Sequence, residues 1–425
     1  MRRPTRRSFV PFAAASATAL AVAACGTTSA STTASTSAQP ITVGISLPLT
    51  GSAANDFSAD GLATENGYKL WASDVNRDGG LLGRPVRLKI LNDKSNEKLV
   101  TSQYTQLITQ DHVNLTLAPF STLLTSDAQA PTASNGYALV AGSATGGLVF
   151  AKTYRNFFSV SVPAANEMVP FAQWVLTLPP SERQTAAYPE VNDPFADPPV
   201  TATEAQLSAH GVKTVYPANQ NNPANTNAQI SREAQAVAAK APQIVVIGSV
   251  DLPSLLVFIH AFQAHQDYTP KIMIAASGPD QGQAFLNTLN PINAQAIMVP
   301  DGWFGGEQNA LSHVMVQDYI AKFGGTSSDI NADVAEAYSA GEILADAVTA
   351  THSIDNAKII SYLHNLKQPL QSAQGLVQFN QKGANIAQHG LIFQWQSGQF
   401  LPVLPADAAG TSHIVASKPQ WGQGG

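Results

Sequence analysis

The chain is 425 residues long, 44% hydrophobic and 12% charged, with 23 basic against 29 acidic residues and a formal net charge of −6. That length exceeds what one hydrophobic core organises and predicts two lobes. A net acidic balance with no basic run beyond the first residues argues against nucleic acid as a partner, and a single cysteine excludes an internal disulfide or a multi-thiolate metal site.

The first residues read as an export signal. Arg2, Arg3, Arg6 and Arg7 precede an apolar stretch from Phe9 to Ala24, interrupted by Pro11, Ser16 and Thr18. It falls short of the roughly 18 apolar residues of a spanning helix. Residues 1–24 are therefore a signal peptide, and its removal takes four arginines and no acid, moving the balance from −6 to −10. "AVAAC" resembles a bacterial lipobox, with Cys25 as the lipidated first residue of the mature chain. The alternative is an ordinary signal cleaved near Ala23 or Ala24. "TRRSFV" resembles a twin-arginine signal, and both that route and the Sec route stay open. Residues 25–40 are almost wholly small and polar and read as a flexible spacer.

From Ile41 short β-branched runs alternate with segments of helical period. "ITVGISLPL" and "PVRLKILND" read as strands, with a helix from Gly61 to Asp78 between them that "GGLLGRP" stops. A helix over Glu97–Gln110 and the strand "VNLTLAPF" follow, then strands "YALVAGS" and "NFFSVSV". A helix from Asn166 to Leu178, strand "TAAYPEV", a helix near Thr203–His210 and strand "VKTVYP" continue the pattern. Helix Ser231–Lys240, strand "QIVVIGS", helix Pro253–His265 and strand "KIMIAAS" come next, and then helices over Ala332–Thr351 and Asn356–Leu366. "GLVQFN" and "GLIFQWQSGQFLPVL" read as late strands, the second folding back at Ser397 and Gly398. The class is α/β, with parallel sheets covered by helices.

No catalytic pattern stands out. The chain has no GxxxxGK[ST], HExxH, CxxC or GxSxG sequence, and "GSATGG" lacks the order of a dinucleotide loop. His260 and His265 are five residues apart and fall on different helix faces, so no metal site is expected. Strand ends carry the signal instead. "LAPFSTLL" runs from a strand into a helix that Ser121 or Thr122 would cap, leaving first-turn N–H groups suited to a carboxylate. The next strand ends in Ser143 and Thr145 beside glycines, and adjacent strand ends of a parallel sheet are where ligands gather.

"SLPLTGSAA", "DVNRDGGLLGRPVRLKILNDKSN", "LAPFST" and "GSATG" together resemble the leucine/isoleucine/valine-binding proteins of bacterial ABC importers, over Ile41 to about Pro405. The resemblance implies a two-lobed, periplasmic-binding-protein-like fold (Venus flytrap) with three interlobe crossings. The first lobe would take residues 41–162 and 301–372, the second 163–300 and 373–410, and 411–425 would be a flexible tail. It implies that Ser121, Thr122, Ser143 and Thr145 hold a ligand carboxylate, that Phe195 of "NDPFADP" closes over the ligand, and that Asp280 of "SGPDQG" receives an ammonium. Phe57 would wall the side-chain pocket. Phe195 lacks the hydroxyl of the usual tyrosine, Val250 stands where an aromatic is common, and the loop from Gly51 to Gly67 is long for the family.

The function implied is that of a monomeric, lipid-anchored, extracytoplasmic receptor without cofactor or metal. It would deliver a small polar solute, of branched-chain amino-acid type, to ABC permease and ATPase subunits. Binders of amides, urea or aromatic acids, a sensor built on the same module, and an extracellular α/β hydrolase are the competing readings.

Overall fold

The computed structural model of the chain describes residues 39–51, 56–219, 226–265, 268–306, 309–406 and 410–422. The expected signal peptide, Cys25 and the expected spacer up to residue 38 lie outside the described residues.

The first βαβ units are β1 (Ile41–Leu47), α1 (Ser58–Arg77), β2 (Val86–Asn92), α2 (Glu97–Thr109), β3 (Leu115–Leu117), α3 (Thr122–Ser134), β4 (Leu139–Ala141), α4 (Gly147–Ala151) and β5 (Phe157–Ser159). Their strands form a parallel sheet in the order β2-β1-β3-β4-β5. Both faces are covered: Leu139 and Ala141 pack into one apolar cluster and Val140 into the other, as the two-residue period of a strand dictates.

The chain then crosses to a second sheet. Its elements are α5 (Ala164–Glu167), α6 (Val169–Thr177), β6 (Thr185–Ala187), α7 (Asp197–Ala209), β7 (Lys213–Tyr216), α8 (Asn227–Ala238), β8 (Ile244–Ile247), α9 (Leu252–Ala264), β9 (Ile272–Ala275), α10 (Gln283–Ala294) and β10 (Ile297–Asp301). The strands run parallel in the order β7-β6-β8-β9-β10, with Val245 and Ile247 in one cluster and Ile244 and Val246 in the opposite one. After β10 the chain returns to the first sheet, where α11 (Ala310–Phe323), α12 (Ala332–Thr351) and α13 (Asn356–His364) pack. There β11 (Leu370–Ser372) pairs antiparallel with β12 (Gly375–Val377). A third crossing leads to the hairpin β13 (Leu391–Gln396) and β14 (Gln399–Leu404), which adds two antiparallel strands beside β10. The result is a two-lobed α/β fold of parallel sheets flanked by helices, as the sequence predicts.

Three local expectations are corrected. The helix expected over Asn166–Leu178 breaks at Met168 into α5 and α6, because Pro170 has no N–H to continue the ladder and opens a new helix instead. The stretch from α10 through β10 to α11 was not foreseen: Pro291 and Pro300 interrupt its runs, yet α10 bends at Asn290, with φ 62, and continues. The described part of the C-terminal segment, residues 411–422, is not a loose tail. Val415 N–H donates to Gln394 Oε1 at 2.8 Å, and the buried Lys418 Nζ donates to the carbonyls of Asn293 at 2.7 Å and Gln295 at 3.2 Å. The same ammonium stands 4.1 Å from the centroid of the Trp421 ring, and burial pushes its pKa down to about 7.

One packing detail positions the site. α12 lies close on α1 because Gly341 meets the face of Trp71, where an added Cβ would come within 2.4 Å of the ring. Tyr338 Oη also donates to the buried Asp74 of α1 at 3.0 Å. This fixes the helix whose first turns carry Asp333 and Glu336.

Candidate functional site

In a parallel sheet, ligands collect outside the carboxyl ends of the strands where the strand order reverses. The order β2-β1-β3 reverses at β1 and β3, and the carboxyl ends of β3 and β4 lead to Ser121 and Ser143. Those of β6, β8, β9 and β10 lead to Asp193, Val250, Asp280 and Asp301. These ends enclose one cavity of about 820 Å³, part of it open to solvent, lined from both lobes. Phe57, Ser121, Thr122, Ser143, Thr145, Phe195 and Asp280, singled out in the sequence, all line it.

Their local roles differ. Ser121, not Thr122, is the N-cap of α3: its Oγ accepts from Leu124 N–H at 3.2 Å. Its backbone has φ 72 and ψ 157, a region nearly reserved for glycine, which stores about 1–3 kcal/mol of strain at this turn. The Thr122 hydroxyl accepts from Gly146 N–H at 2.9 Å and so latches the loop after β4 onto α3. Ser143 faces the Glu336 carboxyl. Thr145 is 5% exposed and its Oγ1 has no hydrogen-bond partner of good geometry, although the Glu167 carboxyl lies close to it. Phe57 packs against Phe120 with ring centroids 5.9 Å apart. Asp280 Oδ1 accepts from Gly278 N–H at 2.5 Å.

The two lobes touch across the cavity. Gln281 Nε2 reaches Asp280 Oδ2 and, in the other lobe, Asp60 Oδ1, each at 3.4 Å. A Cβ on Gly146 would come within 2.3 Å of the Pro194 carbonyl oxygen.

Sequence reasoning missed most of the acids. Asp60, Glu167, Asp193, Asp301, Asp333 and Glu336 line the cavity beside Asp280, which makes seven carboxyl side chains. Burial, first, and the neighbouring acids, second, raise the pKa of Asp60, Asp301 and Asp333. Glu167 is pushed up to about 8 by burial and then by Glu336 and Asp280. Burial raises Asp280 and Glu336 as well. The available signal was the spacing of Asp333 and Glu336, three residues apart at a helix start and hence on one face. Asp301 gave a weaker one, at the end of a strand that Pro300 obscures.

A family model described as periplasmic binding protein matches residues 40–399. The chain is 21% identical to Leu/Ile/Val-binding protein homolog 3 of Brucella melitensis biotype 1 over 363 residues, covering 85% of this chain and 93% of that protein. Among solved structures it is similar to an ABC transporter substrate-binding protein from Desulfitobacterium hafniense in complex with Leu. The TM-score is 0.69 at 15% identity, over 86% of this chain and 100% of that one. It is equally similar in fold to a solute-binding protein from R. palustris in complex with benzoate, with a TM-score of 0.69 at 14% identity over 85% of this chain and 95% of that one.

Proposed function

Because this chain belongs to the periplasmic binding protein family, we propose that it is an extracytoplasmic receptor that captures a small polar solute between its lobes and delivers it to an ABC importer. The observation that carries this reading is a cavity bounded by strand ends of both sheets. Closure of the lobes on a solute exchanges its water for fixed dipoles and couples occupancy to a shape that membrane subunits can read. In this reading the solute is an amino acid or a related amine. Its ammonium goes to Asp280, any carboxylate goes to the first turn of α3, and its methylenes lie along Phe57, Phe120, Phe195 and Val250. The branched-chain preference implied by the resemblance is supported by that apolar lining and by the similarity to the Leu/Ile/Val-binding protein homolog.

Closure is testable at Gly146, whose φ of −73 suits any residue, so a side chain there adds bulk without backbone strain. Gly146→Ala is expected to weaken solute binding by about 1–3 kcal/mol, on the order of tenfold, by wedging the loop off Pro194 and crowding the Thr122 side chain that latches it. Titration calorimetry gives the affinity and small-angle scattering the compaction on binding. Unchanged affinity together with unchanged compaction would sink the closing mechanism.

The same reading tethers the receptor through a lipidated Cys25. Cys25→Ser is expected to move the protein from the membrane fraction to the soluble fraction with its ligand affinity intact, which fractionation and calorimetry check. Retention on the membrane would remove the anchor from the scheme.

A further inference from the structure

We propose that the cleft selects a small organic molecule carrying at least two cationic groups, ammonium or guanidinium, spaced along its length. The inference rests on the reading of the cleft as a solute site and names the solute's class. Asp60, Glu167, Asp280, Asp301, Asp333 and Glu336 surround one cavity, and no lysine, arginine or histidine lines it among the described residues. Residues 52–55, 220–225, 266–267, 307–308 and 407–409 contain none either.

Buried carboxylates are costly unless paired, and removing one partner of such a pair leaves the other uncompensated. Here no basic side chain lines the cavity among the described residues, so protons neutralise the acids in the empty cleft and a cationic ligand can take their place. One ammonium of a leucine-like amino acid, already balanced by its own carboxylate, would leave the cluster as negative as before. A metal ion does not fit: among the described residues no three His, Cys, Asp or Glu side chains converge closely enough to hold one. The acids come from separate elements instead: the first turn of α1, the end of α5, the strand ends after β9 and β10, and the start of α12. Positive charge spread over an organic chain matches that spread, and a point charge does not.

An independent observation concerns the turn expected to hold a ligand carboxylate. Ser143 faces Glu336, and the buried Thr145 Oγ1, without a partner of good geometry, has Glu167 beside it. An anion arriving there meets two protein carboxyls, whereas an ammonium meets two acids and free hydroxyl acceptor capacity. Phe57, Phe120 and Phe195 add aromatic lining for methylenes and for cation–π contact.

The test is titration calorimetry on the purified full-length chain with four sets of probes: leucine and valine; lysine and arginine; putrescine and spermidine; and calcium chloride. A compound of the second or third set is expected to bind at least about thirtyfold more tightly than leucine. Its affinity should fall as salt is raised. Lysine or arginine ahead of putrescine identifies a basic amino acid, and the reverse identifies a carboxylate-free amine. Leucine or valine binding as tightly as any dication overturns the inference and leaves the solute-receptor reading standing. Calcium binding without amine binding overturns it in favour of a metal. Silence from all four sets overturns the inference and leaves the solute-receptor reading standing for a solute of another class.

Discussion

Replacing Asp333 by Asn and Glu336 by Gln together is expected to stabilise the unligated protein at pH 8 by about 3 kcal/mol or more, the linkage cost of ionising buried carboxyls whose pKa is raised as that of Glu336 is, to about 7, and to weaken dication capture by about thirtyfold or more. The two acids share a face of α12, and burial followed by their acidic neighbours holds the Asp333 pKa well above the carboxylate range. At pH 8 the fold carries the cost of ionising them without a cation. The amides keep the local bonds, since Asn331 Nδ2 donates to Asp333 Oδ2 at 3.0 Å and an amide oxygen accepts equally. At pH 5 the gain should vanish, because a protonated acid and its amide are both neutral. Urea denaturation at the two pH values measures it. Equal destabilisation at both would make the pair purely structural and remove it from ligand recognition.

Such a trade, in which groups useful to binding cost stability in the empty protein, also explains which parts of the site were legible in the sequence. Ser121, Ser143 and Thr145 announce themselves because cap residues and small hydroxyl residues at strand ends are local chemistry, and β3–α3 and β4 are short-range units. Asp280 was legible only through the family resemblance, in the turn "SGPDQG". The remaining acids are ordinary surface residues in sequence; only the second crossing, which brings Asp301 and then α12 back over the first sheet, makes them neighbours of Asp60 and Glu167. No period or motif encodes that convergence. Fold class was easier, because fully apolar β-branched runs such as Ile244–Ile247, alternating with segments of helical period, mark buried parallel strands. The tail failed for the converse reason: polar, glycine-rich residues read as loose, and the pairing of Val415 with Gln394 is visible only in space.

Binding of a dication is expected to release protons and to tighten as pH rises from 5 to 8. The groups that decide this face one another across several elements. Glu167 is raised to about 8 by burial and then by Glu336 and Asp280. Asp60 is raised by burial and then by Asp280 and Asp251, Asp301 by burial and then by Asp280 and Glu336, and Asp333 by burial and then by Asp60, Glu336 and Asp280. The neighbouring Tyr68, which also feels Glu336, is raised still further and stays neutral throughout. No lysine or arginine appears among these influences.

The direction follows from linkage. In the empty fold these carboxyl pKa values lie above their unfolded ones, so the folded state binds more protons, and unligated stability falls as pH climbs from the ordinary carboxyl range through about 8. A bound cation lowers the same pKa values, so the complex holds fewer protons than the empty cleft and affinity gains about one decade per pH unit for each proton released. The ligand-induced rise in Tm should accordingly be larger at pH 8 than at pH 5. Calorimetry at pH 7 in phosphate and in Tris, whose ionisation heats differ, counts the protons directly. Equal heats in both buffers, with an affinity flat from pH 5 to 8, would mean that the ligand does not compensate the carboxyl cluster. A neutral or singly charged solute would then have to lie along the phenylalanine side of the cleft, away from the acids.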